Sequence, residues 1–274
     1  MMSINEAKFF SYLNSYNCFE KYPSVAVGVS GGPDSIALVY LLNKWIKLKK
    51  GKLYALIFNH RIRNNSTQEA KQVKDILKDL KINSIILRAN KNNLIKKNMS
   101  QARSNRFDSL INFCINKKII HLFLGHHFDD NLETYLIRKI NGSNFEGLSS
   151  MDEISYFDKI QIIRPFLKIK KSSILRFNNK KKLIFLKDPT NNDINYTRVK
   201  VRNFLQNNNY KKLVKCDFFN IKKEINAYKL MVWSYFLDSL RDIKSKNIKI
   251  DRKKLLKYHV LIIEKIILIC LKFF

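Results

Sequence analysis

Short apolar runs alternate with amphipathic stretches over the first 180 residues. Residues 5–18 predict an opening helix. SVAVGVS at 24–30 then reads as a buried parallel strand, being short, valine-rich and apolar on both faces. A glycine-containing turn leads into a helix over 35–49, KLYALIFN at 52–59 repeats the strand signal, and an amphipathic helix over 67–80 begins near Ser66-Thr67. The alternation continues with NSIILRA (83–89), a helix over 100–116, IIHLFLG (119–125), a helix over 129–140 and QIIRPFL (161–167). This repeated strand–helix order predicts an α/β fold, a doubly wound, mostly parallel sheet with helices on both faces. Ligands of such sheets bind at the carboxyl ends of the strands.

Beyond about residue 180 the pattern loosens. NNKKKLIFLKDPTNND is polar and turn-rich around Asp188-Pro189, a basic helix follows over 197–208, and the remainder reads as mostly helical. One domain is therefore expected at 1–212 and a small helical appendage at 213–274. The tail HVLIIEKIILICLKFF is strongly apolar, but Glu264 and Lys265 interrupt it, and it is shorter than the about 20 residues a membrane span needs. Its apolar face needs a cover, either the main domain or a second copy of the chain, so a homodimer is one expectation.

Charge changes the picture most. Lys and Arg number 52 against 22 Asp and Glu, a formal charge of +30, and hydrophobic residues at 46% are ample for a core. Such a surplus suits a polyanion such as nucleic acid, whose phosphates supply most of the affinity, although a lysine- and asparagine-rich composition also raises the count. Cys18, Cys114, Cys216 and Cys270 are scattered, with neither a CxxC pair nor metal-ligand spacing. That argues against a disulfide scaffold, a zinc module or a redox pair, and fits a reducing, cytoplasmic compartment. The N-terminus carries Glu6 and lacks the apolar stretch of a signal peptide.

Candidate chemistry begins at Ser30-Gly31-Gly32-Pro33-Asp34-Ser35, between the first strand and its helix. Paired glycines let the backbone turn tightly and point N–H groups at an anion, and the helix adds its positive end. Ser30 and Ser35 offer hydroxyls, and Asp34 can hold a magnesium ion that bridges phosphates. A GxxxxGK(S/T) loop is excluded because its lysine is missing.

Further along, His126-His127-Phe128-Asp129-Asp130-Asn131-Leu132-Glu133-Thr134 opens a helix. Asp130 and Glu133, three apart, share a face on which a carboxylate pair can hold magnesium, or bind and deprotonate an ammonium nucleophile. Zinc is disfavoured because adjacent side chains on a short turn diverge. Arg103 and Arg106 also lie three apart on one helix face, a fork able to grip phosphates, while Phe107 and Leu110 carry an apolar stripe into the core. Thr197 can cap a helix on which Arg198 and Arg202 share a face.

These stretches carry a resemblance. SGGPDS resembles the SGGxDS signature of PP-loop ATP pyrophosphatases, a Rossmann-like class that includes GMP, NAD, asparagine and argininosuccinate synthetases and tRNA-modifying enzymes. HHFDDNLET resembles the HHxDDxxET box of tRNA(Ile)-lysidine synthetases, and Ala102-Arg103-Ser104-Asn105-Arg106-Phe107 resembles their ARxxRY. Asn141-Gly142-Ser143-Asn144-Phe145-Glu146-Gly147-Leu148 with Met151 resembles RGSGxxGLxxM, with Asn141 in place of arginine and Asn144 in place of glycine. Asn144 is expected to supply left-handed backbone there. Ile163-Arg164-Pro165-Phe166 and Asp188-Pro189-Thr190-Asn191 through Tyr196 to Arg202 resemble IRPL and EDPSN…FTRNRIR, with Val199 in place of asparagine. Asn59-His60-Arg61-Ile62-Arg63 stands where the family has DHGLR, without its aspartate and glycine.

The resemblance covers residues 24–205 in order and weakens beyond 215. It implies ATP and magnesium as cofactors, a CAU-anticodon tRNA(Ile) and free L-lysine as substrates, and lysidine, AMP and pyrophosphate as products. The loop Ser30, Gly31, Gly32, Pro33, Asp34, Ser35 would bind ATP. Asp34 and Asp130 would hold magnesium, Asp130 and Glu133 would handle the lysine ammonium, and Arg103, Arg106, Arg198 and Arg202 would contact phosphates or tRNA. Two alternatives stay open: a tRNA thiolation enzyme on the same scaffold, which would need a cysteine pair or iron–sulfur site, and a non-catalytic RNA-binding relic.

Overall fold

The computed structural model describes residues 4–61, 65–89, 99–186, 196–244 and 247–271. Ile62, Arg63 and the Asp188-Pro189-Thr190-Asn191 stretch lie outside them. Along the chain run α1 (Glu6–Asn14), β1 (Ser24–Val29), α2 (Pro33–Leu48), β2 (Lys52–Asn59), α3 (Ser66–Asp79), β3 (Ser84–Arg88), α4 (Met99–Asn116), β4 (His121–Phe123) and α5 (Phe128–Ile140). They continue with β5 (Ile154–Phe157), β6 (Ile160–Ile163), α6 (Lys171–Lys181), α7 (Thr197–Phe204), α8 (Asn208–Ser239), β7 (Leu240–Lys244), β8 (Asn247–Ile250), α9 (Arg252–Leu255) and α10 (Val260–Leu271).

The expected α/β architecture is present. Six strands form one sheet in the order β3-β2-β1-β4-β6-β5, parallel except for β5 on the edge. β1 is buried on both faces, with Val25, Ala26, Val27 and Val29 closed off from water, which is why its sequence is apolar throughout. α2 fixes itself against the sheet through Ile36, Leu38, Leu42 and Trp45, and the Trp45 indole donates to Asn14 of α1 at 3.2 Å.

The chain divides into two compact units, one of Met1–Thr134 with Met151–Asn203, the other of Tyr135–Ser150 with Phe204–Phe274. Position 212, where the hydrophobic pattern puts the boundary, falls inside the continuous helix α8. The basic helix expected over 197–208 stops at Phe204. Asn207 then caps a new helix, its side chain accepting from Asn209 N at 2.9 Å and Tyr210 N at 3.4 Å.

In the second unit, Asp217 of α8 accepts from the Tyr135 hydroxyl at 2.6 Å and from the Lys139 ammonium, while Phe218 meets the Tyr135 ring edge-on. The apolar tail forms α10, whose Ile262 and Ile266 bury against Val232 and Phe236 of α8. Each such side chain contributes at most about 1.5–3 kcal/mol. None of the described helices is long and apolar enough to cross a membrane. The hairpin β7–β8 interrupts what reads as helical sequence.

Candidate functional site

Strand order reverses between β1 and β4, which lie side by side in parallel, so their carboxyl ends open at the same edge. Residues 30–32 leave β1 and residues 124–127 leave β4. Both stretches singled out in the sequence therefore meet at the switch point, where open α/β sheets bind ligands.

Gly31 has φ +84, and a Cβ there would come within 2.4 Å of Val73 Cγ2, so only glycine fits. Ser35 Oγ donates to Gly32 O at 3.0 Å, accepts from Ser30 N at 3.2 Å, and lies 3.3 Å from Ser30 Oγ. Two outside bonds pin the turn, Leu186 N to Gly31 O and Asn178 Nδ2 to Pro33 O, both 2.9 Å. α2 begins at Pro33 without a side-chain cap, which leaves its first N–H groups to an external acceptor. A turn and helix start built this way suit phosphate.

Asp34 stands in the first turn of α2. Its Oδ2 accepts from the Lys171 ammonium, which comes from the first residue of α6. Its Oδ1 is buried, makes no hydrogen bond among the described residues, and lies 3.9 Å from His127 Nε2. Asp129 Oδ2 accepts from Lys171 N at 2.9 Å, so the backbone as well as the side chain of Lys171 is held by carboxylates. An unmatched buried carboxylate oxygen fits a magnesium ligand. Among the described residues no three His, Cys, Asp or Glu side chains group as a metal cage. A magnesium ion here would complete its shell with phosphate oxygens and water, as that ion commonly does.

His127 and Asp130 bind each other reciprocally. His127 N donates to Asp130 Oδ2 at 3.0 Å and Asp130 N donates to His127 Nδ1 at 3.3 Å. This is a capping box with histidine in the serine position, and it orients Asp130 at the start of α5. Burial pushes the Asp130 carboxyl up, but the two histidines, the His127 N–H and Arg198 outweigh it and hold the group below the usual range. His126, beside it, is pushed down by burial against the pull of Asp130, and its buried Nδ1 makes no hydrogen bond among the described residues.

Glu133 is buried, and both of its oxygens are taken. Arg202 reaches them at 2.9 and 3.3 Å, and Arg198 Nε lies 3.3 Å from Oε2 while its Nη2 donates to Thr134 Oγ1 at 3.0 Å. The pair Asp130 and Glu133, expected to act together, thus divides: Asp130 is held by a helix cap, and Glu133 anchors α7. Arg198 and Arg202, expected on phosphates, are ion-paired here. Arg103 and Arg106, by contrast, hydrogen-bond to no described residue. The Arg103 guanidinium is pushed down to about 10 by desolvation and by Arg198 and Arg106, and Arg106 is lowered by desolvation and Arg198. Asp130 offsets part of this at Arg103, and cations crowded this way favour an anion.

Smaller expectations resolve locally. Asn59 performs the turn work of the missing aspartate, accepting from Arg61 N at 3.0 Å and donating to Thr67 at 3.1 Å, and Arg61 adopts left-handed backbone (φ 54) where glycine is usual. Asn144 is not left-handed. Its side chain instead accepts from Gly147 N at 2.8 Å. Thr197 is not the cap, because Lys200 N donates to Tyr196 O and puts Tyr196 there. Val199, in place of asparagine, is buried. Lys171 and Arg138, which donates to Gly147 O at 2.6 Å and Ser150 O at 3.1 Å, carry no signal in the sequence beyond a lysine pair and a basic helix end.

The fold and this loop define a nucleotide-phosphate-binding α/β protein. A family model described as a PP-loop domain matches residues 2–209, and the chain belongs to that family. It is 34% identical to a tRNA(Ile)-lysidine synthase of Orientia tsutsugamushi (strain Boryong) over 201 residues, 73% of this chain and 45% of that protein. It is 40% identical to a tRNA(Ile)-lysidine synthase of Wolbachia pipientis wMel over 184 residues, 66% of this chain and 43% of that protein. The matches thus span under half the length of these relatives. Among solved structures, a U34-tRNA thiolase, NcsA, from Methanococcus maripaludis with its 4Fe-4S cluster superposes with a TM-score of 0.67 at 20% identity, covering 81% of this chain and 78% of that one. That likeness shows the fold.

Proposed function

We propose that the chain forms lysidine at the wobble cytidine of a CAU-anticodon tRNA(Ile), using ATP and free L-lysine, in the cytoplasm. The observation that carries this reading is the meeting, at one switch point, of a loop suited to phosphate, an Asp34 oxygen with no hydrogen bond among the described residues, and the His127–Asp130 box beside the crowded Arg103 and Arg106. The named relatives and the family support it.

In the first step the cytidine O2 attacks the α-phosphorus of ATP and pyrophosphate leaves. Residues 30–35 hold the phosphates, with the N-terminal end of α2 stabilising the departing charge. Asp34, with Asp130 nearby, is the residue set for magnesium, which when bound neutralises phosphate charge. Arg103 and Arg106 hold the phosphates of the RNA strand or nucleotide.

In the second step the lysine amine attacks C2 of the adenylated base and AMP leaves. Free lysine is almost fully protonated at neutral pH, so its ammonium must surrender a proton first. Asp130 is the group for binding that ammonium, since Glu133 is already neutralised by Arg198 and Arg202.

The thiolation alternative needs reactive sulfur. Burial pushes the Cys114 thiol up to about 12, and Cys18 and Cys270 are also raised by burial, the reverse of an activated nucleophile. Incubation with labelled lysine, ATP and tRNA(Ile), followed by mass spectrometry of the nucleosides, tests the proposal. Lysidine in the digest supports it. Sulfur incorporation, or no modified cytidine at all, overturns it.

A further inference from the structure

The loop that leaves β1 has no lysine of its own, yet the structure supplies one from 137 residues downstream. Lys171 Nζ bonds to Asp34 Oδ2, and its backbone N–H bonds to Asp129 Oδ2 at 2.9 Å. Two carboxylates from the first turns of α2 and α5 thus converge on one residue of α6. The Lys171 side chain is about one-third exposed and the Asp34 side chain less, so the ammonium enters from the open side of the cluster. The second Asp34 oxygen stays buried and makes no hydrogen bond among the described residues.

We infer that Lys171 is a resident cation with two positions, on Asp34 when no nucleotide is bound and on the nucleotide phosphates when Asp34 turns to magnesium. The inference rests on the proposed ATP chemistry and adds a residue to it. A carboxylate shared between an ammonium and a divalent ion binds the ion more weakly while the ammonium is in place, because the two charges compete for one partner. Once Asp34 is engaged by the ion, the ammonium loses its partner at the mouth of the phosphate loop. A triphosphate there offers new oxygens within the swing of a four-carbon stem. Lys171 N stays tied to Asp129, so only the side chain moves. In this way Lys171 supplies the point charge that loops of the other type carry in their own sequence.

The two positions make opposite demands, which separates this role from simple packing. Lys171→Met keeps the length of the stem and removes the charge. With Mn2+ as the probe and no nucleotide present, Lys171→Met should bind the ion about tenfold more tightly than wild type, because the competitor is gone. With a non-hydrolysable α,β-methylene ATP and saturating Mg2+, the same variant should bind the nucleotide about tenfold more weakly. Lys171→Arg should return both constants toward wild type. Thermal midpoints of all three proteins report whether α6 still docks. Unchanged Mn2+ affinity, or unchanged nucleotide affinity, in a folded Lys171→Met protein overturns the inference. If both constants shift as stated and the wild type forms no lysidine, the role of Lys171 stands and the proposed reaction is wrong.

Discussion

Arg202 donates to both carboxylate oxygens of Glu133, Nε to Oε1 at 2.9 Å and Nη2 to Oε2 at 3.3 Å, and thereby ties α7 to α5 across 69 residues of chain. Glu133 is buried while Arg202 is about two-fifths exposed. Removing the carboxylate charge leaves Arg198 and Arg202 facing a neutral amide in place of their ion pair. Breaking a fully buried pair costs about 3–5 kcal/mol, and the exposure of Arg202 reduces that, so Glu133→Gln should destabilise by about 2 kcal/mol. Urea unfolding measures it. A loss of lysine transfer with full stability would return Glu133 to the ammonium-binding role.

Gly31→Ala tests the loop itself. Its backbone is left-handed and an added Cβ would meet Val73 at 2.4 Å, so the turn must open or α3 must shift. Strain of this kind costs about 1–3 kcal/mol. Nucleotide affinity should fall more than stability does, because the N–H groups proposed to face the phosphates are in the part that moves. Equal affinity, measured with a non-hydrolysable ATP analogue, would mean that the phosphates bind elsewhere.

Cleavage products report on the same loop. ATP turnover with tRNA and lysine should yield AMP and pyrophosphate, and Asp34→Asn should abolish it by removing charge that magnesium requires. ADP and phosphate as products would contradict the loop assignment, and normal turnover in Asp34→Asn would remove Asp34 from the site.

The sheet was legible in the sequence wherever burial is two-sided. β1 and β2 carry apolar runs through their middles, Val25 to Val29 and Leu53 to Phe58, where they are most buried, and the glycine pair marks the turn between β1 and α2. β5, at the edge, shows only Ile154-Ser155-Tyr156-Phe157, a mixed run with Tyr156 and Phe157 exposed, so no pattern announces it. Arg164 holds it in place, Nη1 donating to Asp152 O at 3.0 Å and Ser155 Oγ at 2.8 Å, a role unrelated to the motif that made the residue visible. The break between α7 and α8 turns on the Asn207 cap alone, and asparagine is too common here to stand out. In the site, residue types near Asp34 and Asp130 were readable from spacing. Lys171 was not, since its partner comes from tertiary contact and no local period connects them.

Acid should act on the second unit through Asp217. Burial pushes this carboxyl up, but bonds from Lys139 and Tyr135 outweigh that and hold its pKa below the ordinary value. The folded state therefore binds this proton less readily than the unfolded chain. The contribution is present above the unfolded pKa and is lost as pH falls through the lower, folded value. Asp217→Asn should flatten the acid limb of a stability–pH curve below about pH 4. An identical limb in the variant would assign the acid sensitivity to other carboxylates.

Binding and selection of RNA should separate. A formal charge of +30 should give tight, salt-dependent binding to almost any tRNA, because phosphate neutralisation carries no base information. Arg103 and Arg106 hydrogen-bond to no described residue and their charges are crowded by Arg198, so each should release to a phosphate with little to lose. Replacing either by glutamine should lower the slope of log affinity against log salt by about one. tRNA(Ile) and a CAU-bearing tRNA(Met) should be affected alike, since both present the same backbone. Their dissociation constants should therefore lie close together at any salt concentration. Single-turnover rates should not, because only a base placed correctly beside residues 30–35 gains stabilisation in the transition state. The measurement sets two rates beside two dissociation constants at two salt concentrations. Equal rates with both tRNAs would show that discrimination does not arise in this catalytic unit. An unchanged salt slope in both arginine variants would remove the pair from the RNA path.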